Sequence, residues 1–199
     1  YLYLTQDHAN FAGRKFTTQR NHINKFLKNY ENWEFKKIDE TTLPQVKEFY
    51  KDYEQRFAKS ELTAIEEQEK TNEVLNRYED YGFIGYALYI EKKVVGFAIG
   101  EILKDTMFIH VEKADKSKDG VNAMLVMQFA KVFEGKVMYL NREEDVGDMG
   151  LRYSKTKYRP IDMVYKYEVN FKKVEILDNP LESKALYVES FEDTKEFVD

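Results

Sequence analysis

The sequence predicts an α/β (α+β) domain in which a mixed, mainly antiparallel sheet carries helices on both faces. Three observations lead there. Residues up to about 82 place most of their apolar positions at helical spacing, residues 84–114 switch to alternation broken by tight turns, and residues 120–171 alternate helix and strand signals.

The first helix is predicted over about 13–30, where Phe16, Ile23, Phe26, Leu27 and Tyr30 fall close to one face and basic residues lie mostly between them. "WEFKKI" reads as a short strand. "TTLPQVKEFYKDYEQRF" has a threonine cap, an early proline and an apolar face of Val46, Phe49, Tyr50, Tyr53 and Phe57. A second helix, "EEQEKTNEVLNRYEDYG", stops at Gly82. "YALYIEKKVVGFAIGEIL" is two strands around a turn at Glu91 to Lys93, and "TMFIHVEKA" is the third strand of the meander. "DGVNAMLVMQFAKVFEG" is a largely buried helix closed by Gly135; "KVMYLNRE" is a strand, "VGDMGLRYSKTKY" a short helix and "RPIDMVYKYEVNF" a last strand. The main domain is expected over 1–173, with 174–199 an acidic tail or the start of a following domain.

With 15 Tyr and 14 Phe in 199 residues the chain needs a substantial core. No apolar run approaches the ~20 residues of a membrane span and the start lacks the pattern of a signal peptide, so a cytoplasmic location is expected. The absence of cysteine excludes disulfides and thiol nucleophiles, and three scattered histidines make a metal cluster a poor expectation. The net charge of −5 is unevenly spread: residues 174–199 hold eight acids against two lysines, a net −6, which leaves +1 for the rest. Gly13 to Lys28 holds five basic residues and no acid, while Glu61 to Asp80 holds seven acids and two bases.

The element order resembles the Gcn5-related N-acetyltransferase superfamily. "GRKFTTQRNHINKF", "FAIGEILKDTMFIHVEKAD" and "YLNREEDVGDMGLRYSKTKYRP" narrow it, because together and in this order they resemble a bacterial domain family grouped with the C-terminal domain of phosphatidylglycerol lysyltransferase. The resemblance implies two acetyltransferase-like lobes in tandem, this chain holding the second. It also implies transfer of an aminoacyl group from a charged tRNA to an amine or hydroxyl of a lipid or peptidoglycan-type acceptor. "LYVESFEDTKEFVD" resembles the opening of a further acetyltransferase-type domain.

Four groups of residues are candidates for chemistry. In the superfamily the loop after the third meander strand brings backbone N–H groups to a pyrophosphate; here Gly120 matches that pattern, but Ser117, Asp119 and Asn122 depart from it, which sets an acyl-CoA donor in doubt. A simple turn glycine is the alternative. Strict alternation would put His110 and Glu112 on one face of their strand and Met107, Ile109 and Val111 on the other, making His110 and Glu112 candidate proton-transfer residues. At "NREED", Asn141 and Arg142 end an apolar strand and, with Arg152 and Lys155 on the next helix, are candidates to hold a carbonyl or phosphate; the acids either cap that helix or pair with Arg20 or Lys15. Arg14, Lys15, Arg20 and Lys25 are candidates for a salt-sensitive tRNA contact, or else pair with acids elsewhere.

Three functions follow: an aminoacyl transferase using aminoacyl-tRNA, an acyl-CoA-dependent N-acyltransferase, and a non-catalytic binding or regulatory domain on the same fold. The implied partners are tRNA, a small-molecule, lipid or peptide acceptor, and an N-terminal lobe.

Overall fold

In a computed structural model, residues 1–57 and 62–165 are described. Residues Tyr1–Met163 form one compact unit. Its elements are β1 (Leu2–Leu4), α1 (Thr5–Asn10), α2 (Thr17–Asn29), β2 (Trp33–Lys37), α3 (Leu43–Phe57), α4 (Leu62–Asn76), α5 (Tyr78–Tyr81), β3 (Ile84–Ile90), β4 (Lys93–Leu103), β5 (Thr106–Ala114), α6 (Val121–Phe133), β6 (Tyr139–Asn141) and α7 (Met149–Lys157). The strands lie in the order β1-β6-β5-β4-β3-β2, antiparallel except between β5 and β6. A parallel neighbour requires a crossover, and α6 supplies it.

Each face of the sheet buries its own core. On one, α1, α2 and α6 bring Phe16, Phe26, Leu125 and Phe129 against Leu88, Ala98, Met107 and Ile109; on the other, α3 and the helices after it bring Val46, Tyr50 and Leu75 against Phe97, Ile99 and Val111. The α6 sequence is apolar almost all round because it lies between the sheet and the α1–α2 pair.

Several local signals act as expected. Thr42 and Asp39 bond reciprocally ahead of α3, the Asp39 N–H donating to Thr42 Oγ1 at 2.8 Å and the Thr42 N–H to Asp39 Oδ1 at 3.0 Å. Glu91 and Lys92 both take left-handed backbone conformations, as a two-residue hairpin turn demands. The start of the chain differs from expectation. β1 and α1 precede the basic helix, which itself begins with a tight turn at Arg14–Phe16. Of the predicted strand over 159–171, the described part holds only a bridge from Leu2 to Asp162; its remainder, the expected boundary at 173–174 and the tail lie outside the described residues.

The feature that shapes the site is a bulge. Ile99 pairs with Val111 but Gly100 pairs with Ile109, so His110 is an extra residue in β5. Gly100 permits the close approach: a Cβ there would lie 2.0 Å from the Phe108 carbonyl oxygen. The insertion reverses the alternation beyond it. Met107 and Ile109 join the α6-side core, whereas Val111 joins the α3-side core. The expected shared face of His110 and Glu112 is therefore corrected, because a one-residue insertion shifts a period of two.

Candidate active site

Parallel pairing of β5 with β6 covers only Thr106–Phe108 and ends at Asn141, while β5 runs on to Ala114. An open cleft of ≈ 1580 Å³ extends from α3 and α4 across both sides of this gap to the first turn of α6 and to α7.

On the α6 side, Glu112 stands across from Ala98 and meets Arg142, the residue that follows β6. Arg142 Nε donates to Glu112 Oε2 at 3.1 Å and Nη2 donates to Oε1 at 2.6 Å, a fork-to-carboxylate pair with both side chains largely removed from water. The guanidinium lies 4.6 Å from the Tyr158 ring centre and 5.7 Å from that of Tyr3, while Nη1 is buried without a hydrogen-bond partner. Burial opposes the arginine charge most strongly, but the Glu112 carboxylate together with the oxygens of Tyr3 and Tyr158 outweighs it, and the guanidinium's pKa lies above its ordinary value. Lys155, one turn before Tyr158, donates to the carbonyl oxygens of Arg142 at 2.6 Å and of Glu144. Burial, reinforced by the Arg142 charge, pushes its pKa down to about 8.

On the α3 side, His110 lies between two carboxylates. Its Nδ1 is 2.9 Å from Glu143 Oε1 and its Nε2 is 3.0 Å from Glu101 Oε1, with Phe83 packed on the ring. Both ring nitrogens thus face acceptors, the arrangement of an imidazolium that donates twice. The hydrogen bond to Glu143 raises the His110 pKa, burial opposes it, and the bond to Glu101 adds to the rise. Glu143 itself takes a left-handed backbone conformation, stabilised where Asn141 Oδ1 accepts its N–H at 2.9 Å.

The other predicted residues fall into place around this gap or away from it. Asp148 caps α7 by accepting from the N–H groups of Gly150 and Leu151, while Asp145 instead accepts from Arg152 Nε at 2.9 Å and from the Tyr1 hydroxyl, which holds its carboxyl well below the usual range. Arg152 therefore ties the loop through Asp145. Gly120 caps α6 with φ 75°, and a Cβ there would lie 2.2 Å from the His22 carbonyl oxygen. That glycine is required by the packing of α6 on α2. In the basic segment, Lys15 pairs with Asp7 at 2.6 Å, Lys25 with Asp119 at 2.9 Å, and Arg20 donates to the carbonyl oxygens of Phe11 and Gly13; Arg14 and Lys28 are exposed.

Tyr158, Tyr3 and Glu101 belong to the site beyond the residues the sequence predicts, as does Asn122, which in the sequence is only a departure from the loop pattern. Tyr158 was detectable in principle, three residues after Lys155 on the same helical face. Glu101 was not, because its neighbour across the sheet depends on the bulge.

A mixed, mainly antiparallel sheet with helices on both faces and a cleft where its two parallel strands separate defines the class, an α/β domain built on one six-stranded sheet. The chain belongs to the family described as phosphatidylglycerol lysyltransferase, C-terminal, whose model matches residues 1–170. A conserved protein of unknown function from Bacteroides thetaiotaomicron is 32% identical, with a TM-score of 0.73 over 82% of this chain and 56% of that one. An uncharacterized protein of Mycoplasmoides gallisepticum is 27% identical over 175 residues, 85% of this chain and 55% of that protein. The structure of L-PGS from Bacillus licheniformis shares the fold at 16% identity and a TM-score of 0.53, over 80% of this chain and 55% of that one. The chain thus spans about half the length of these relatives. Among the described residues no helix is long and apolar enough to cross a membrane.

Proposed function

We propose that this domain transfers an aminoacyl group from a charged tRNA to an amine or hydroxyl of a lipid or peptidoglycan-type acceptor, working with a preceding lobe of the same protein. Family membership supports the reaction class. The observation that carries the site assignment is the buried Arg142–Glu112 pair with Lys155 beside it: Glu112 balances Arg142, and the Lys155 ammonium meets carbonyl oxygens.

In this reading the acceptor attacks the ester carbonyl, a new amide or ester bond forms, and the ribose oxygen leaves with the proton the acceptor releases. Negative charge develops on the carbonyl oxygen, and the fixed cations beside the cleft stabilise it. Glu112 is engaged by Arg142 and His110 by two carboxylates, so this arrangement favours charge stabilisation over general-base catalysis. His110 donates from the other face and holds Glu143. Arg14 and Lys28, exposed on the basic helix, are the cations best placed to meet a phosphate backbone. The acyl-CoA alternative gains nothing from Gly120, whose missing side chain makes room for the His22 carbonyl.

The test is transfer by the full-length protein from a panel of aminoacyl-tRNAs to lipid and peptidoglycan-precursor acceptors, with Lys155→Met as control. Transfer that falls about 100-fold in kcat in the variant is expected. Absence of transfer from every aminoacyl-tRNA by the unmodified protein would overturn the reading.

A further inference from the structure

Tyr158 and Asn122 stand outside the charged pair and yet touch both halves of it. The Tyr158 ring, 7% exposed, lies under the Arg142 guanidinium, and its hydroxyl donates to Asn122 Oδ1 at 3.0 Å. With its oxygen so engaged, Asn122 turns Nδ2 toward Glu112 Oε1 at 3.4 Å, the oxygen that also accepts from Arg142 Nη2. The contacts close into a ring of four residues from four places in the fold: the end of β6, the bulged half of β5, the first turn of α6 and the end of α7. Tyr158 is in turn fixed from behind, where its backbone carbonyl lies 3.3 Å from His8 Nε2 and its ring packs against His8 and Phe11.

This geometry gives a physical reason for the departures in the loop before α6. Ser117 donates to Asp115, Asp119 is paired with Lys25, and Asn122 serves the charged pair.

We propose that Tyr158 and Asn122 are positioning residues, which fix the rotation of the Arg142 guanidinium and the Glu112 carboxylate and so set where the cationic edge of the site faces. The consequence for rate rests on the acyl-transfer reading; the consequence for Arg142 does not. A guanidinium held at two nitrogens and by an aromatic face rotates slowly about its terminal C–N bonds. Removing the tyrosine hydroxyl or the amide loosens it while the salt bridge remains.

The experiment uses the full chain and the variants Tyr158→Phe and Asn122→Ala, alone and combined, with Tyr158→Leu to remove the ring as well. The first readout is the set of Arg142 guanidinium 15N resonances, assigned by their loss in Arg142→Lys. Resolved signals that broaden or merge in Tyr158→Phe and in Asn122→Ala, with the backbone spectrum retained, are the expected result. Arg142 resonances unchanged in both conservative variants would overturn the proposal. The second readout is transfer: kcat lower by about tenfold, KM within about twofold, and the double variant no worse than the poorer single, because both act through one chain of contacts. Fully additive losses in kcat would also count against it. If the unmodified protein transfers nothing, the functional reading fails and the resonances still decide the positioning roles.

Discussion

The two faces of β5 beside the cleft solve the same electrostatic problem in opposite ways. On the α6 face one arginine is taken out of water and kept charged by one carboxylate and two aromatic rings. On the α3 face two half-exposed carboxylates share one imidazole. The first arrangement depends on shape and holds over a wide pH range, since an arginine does not lose its proton in water. The second depends on a proton that the imidazole holds more tightly than it would in water. A single inserted residue separates them, so the bulge at His110 divides a fixed charge from a titratable one.

The comparison can be broken most severely at Arg142. Arg142→Ala leaves Glu112 largely buried without its cation, and a loss of about 3–5 kcal/mol in urea denaturation is expected, partly recovered by Glu112→Leu in the same chain. A loss under about 1 kcal/mol would mean that the pair is hydrated in solution. Gly100→Ala attacks the division itself: its Cβ meets the Phe108 carbonyl, so the bulge must move or open, at a cost of about 2–3 kcal/mol. Amide hydrogen exchange would localise that change to β4 and β5, and uniform exchange would count against it.

His110 sharpens the contrast through pH. The charged groups facing it are Glu101 from β4 and Glu143 from the loop after β6, with uncharged Phe83 on the ring. Its folded pKa is raised above the unfolded value, so its contribution is fully present below about pH 6.5 and is lost as pH rises through the folded value. Thermal midpoints should therefore fall across that window in the unmodified protein and change less in His110→Gln, the two curves converging at the alkaline end. Parallel curves would show that the imidazole carries no linked proton. The smallest effect is expected at Lys15→Met, where an exposed pair with Asp7 is lost and stability changes by less than about 0.5 kcal/mol.

What could be read from the chain was whatever is local. The hairpin at Glu91–Lys92, the stop of α5 at Gly82, the cap of α7 and the apolar circumference of α6 each follow from a few consecutive residues. Arg142 and Lys155 stood out as cations at the end of an apolar strand and on the next helix. The pairing of Arg142 with Glu112 did not, because Glu112, a candidate on its own strand, lies 30 residues away and its face is set by an insertion visible only when two strands are aligned. β1 was missed for a related reason: three residues carry too little period to register, and its pairing with β6 joins opposite ends of the domain.

Gly120 bears on inheritance. The atom that its missing side chain spares is the carbonyl of His22, so helix packing alone keeps a glycine there, whatever ligand the loop once met or never met. A descendant that had shed every charge in the cleft would still carry it. The glycine before α6 records how two helices approach each other.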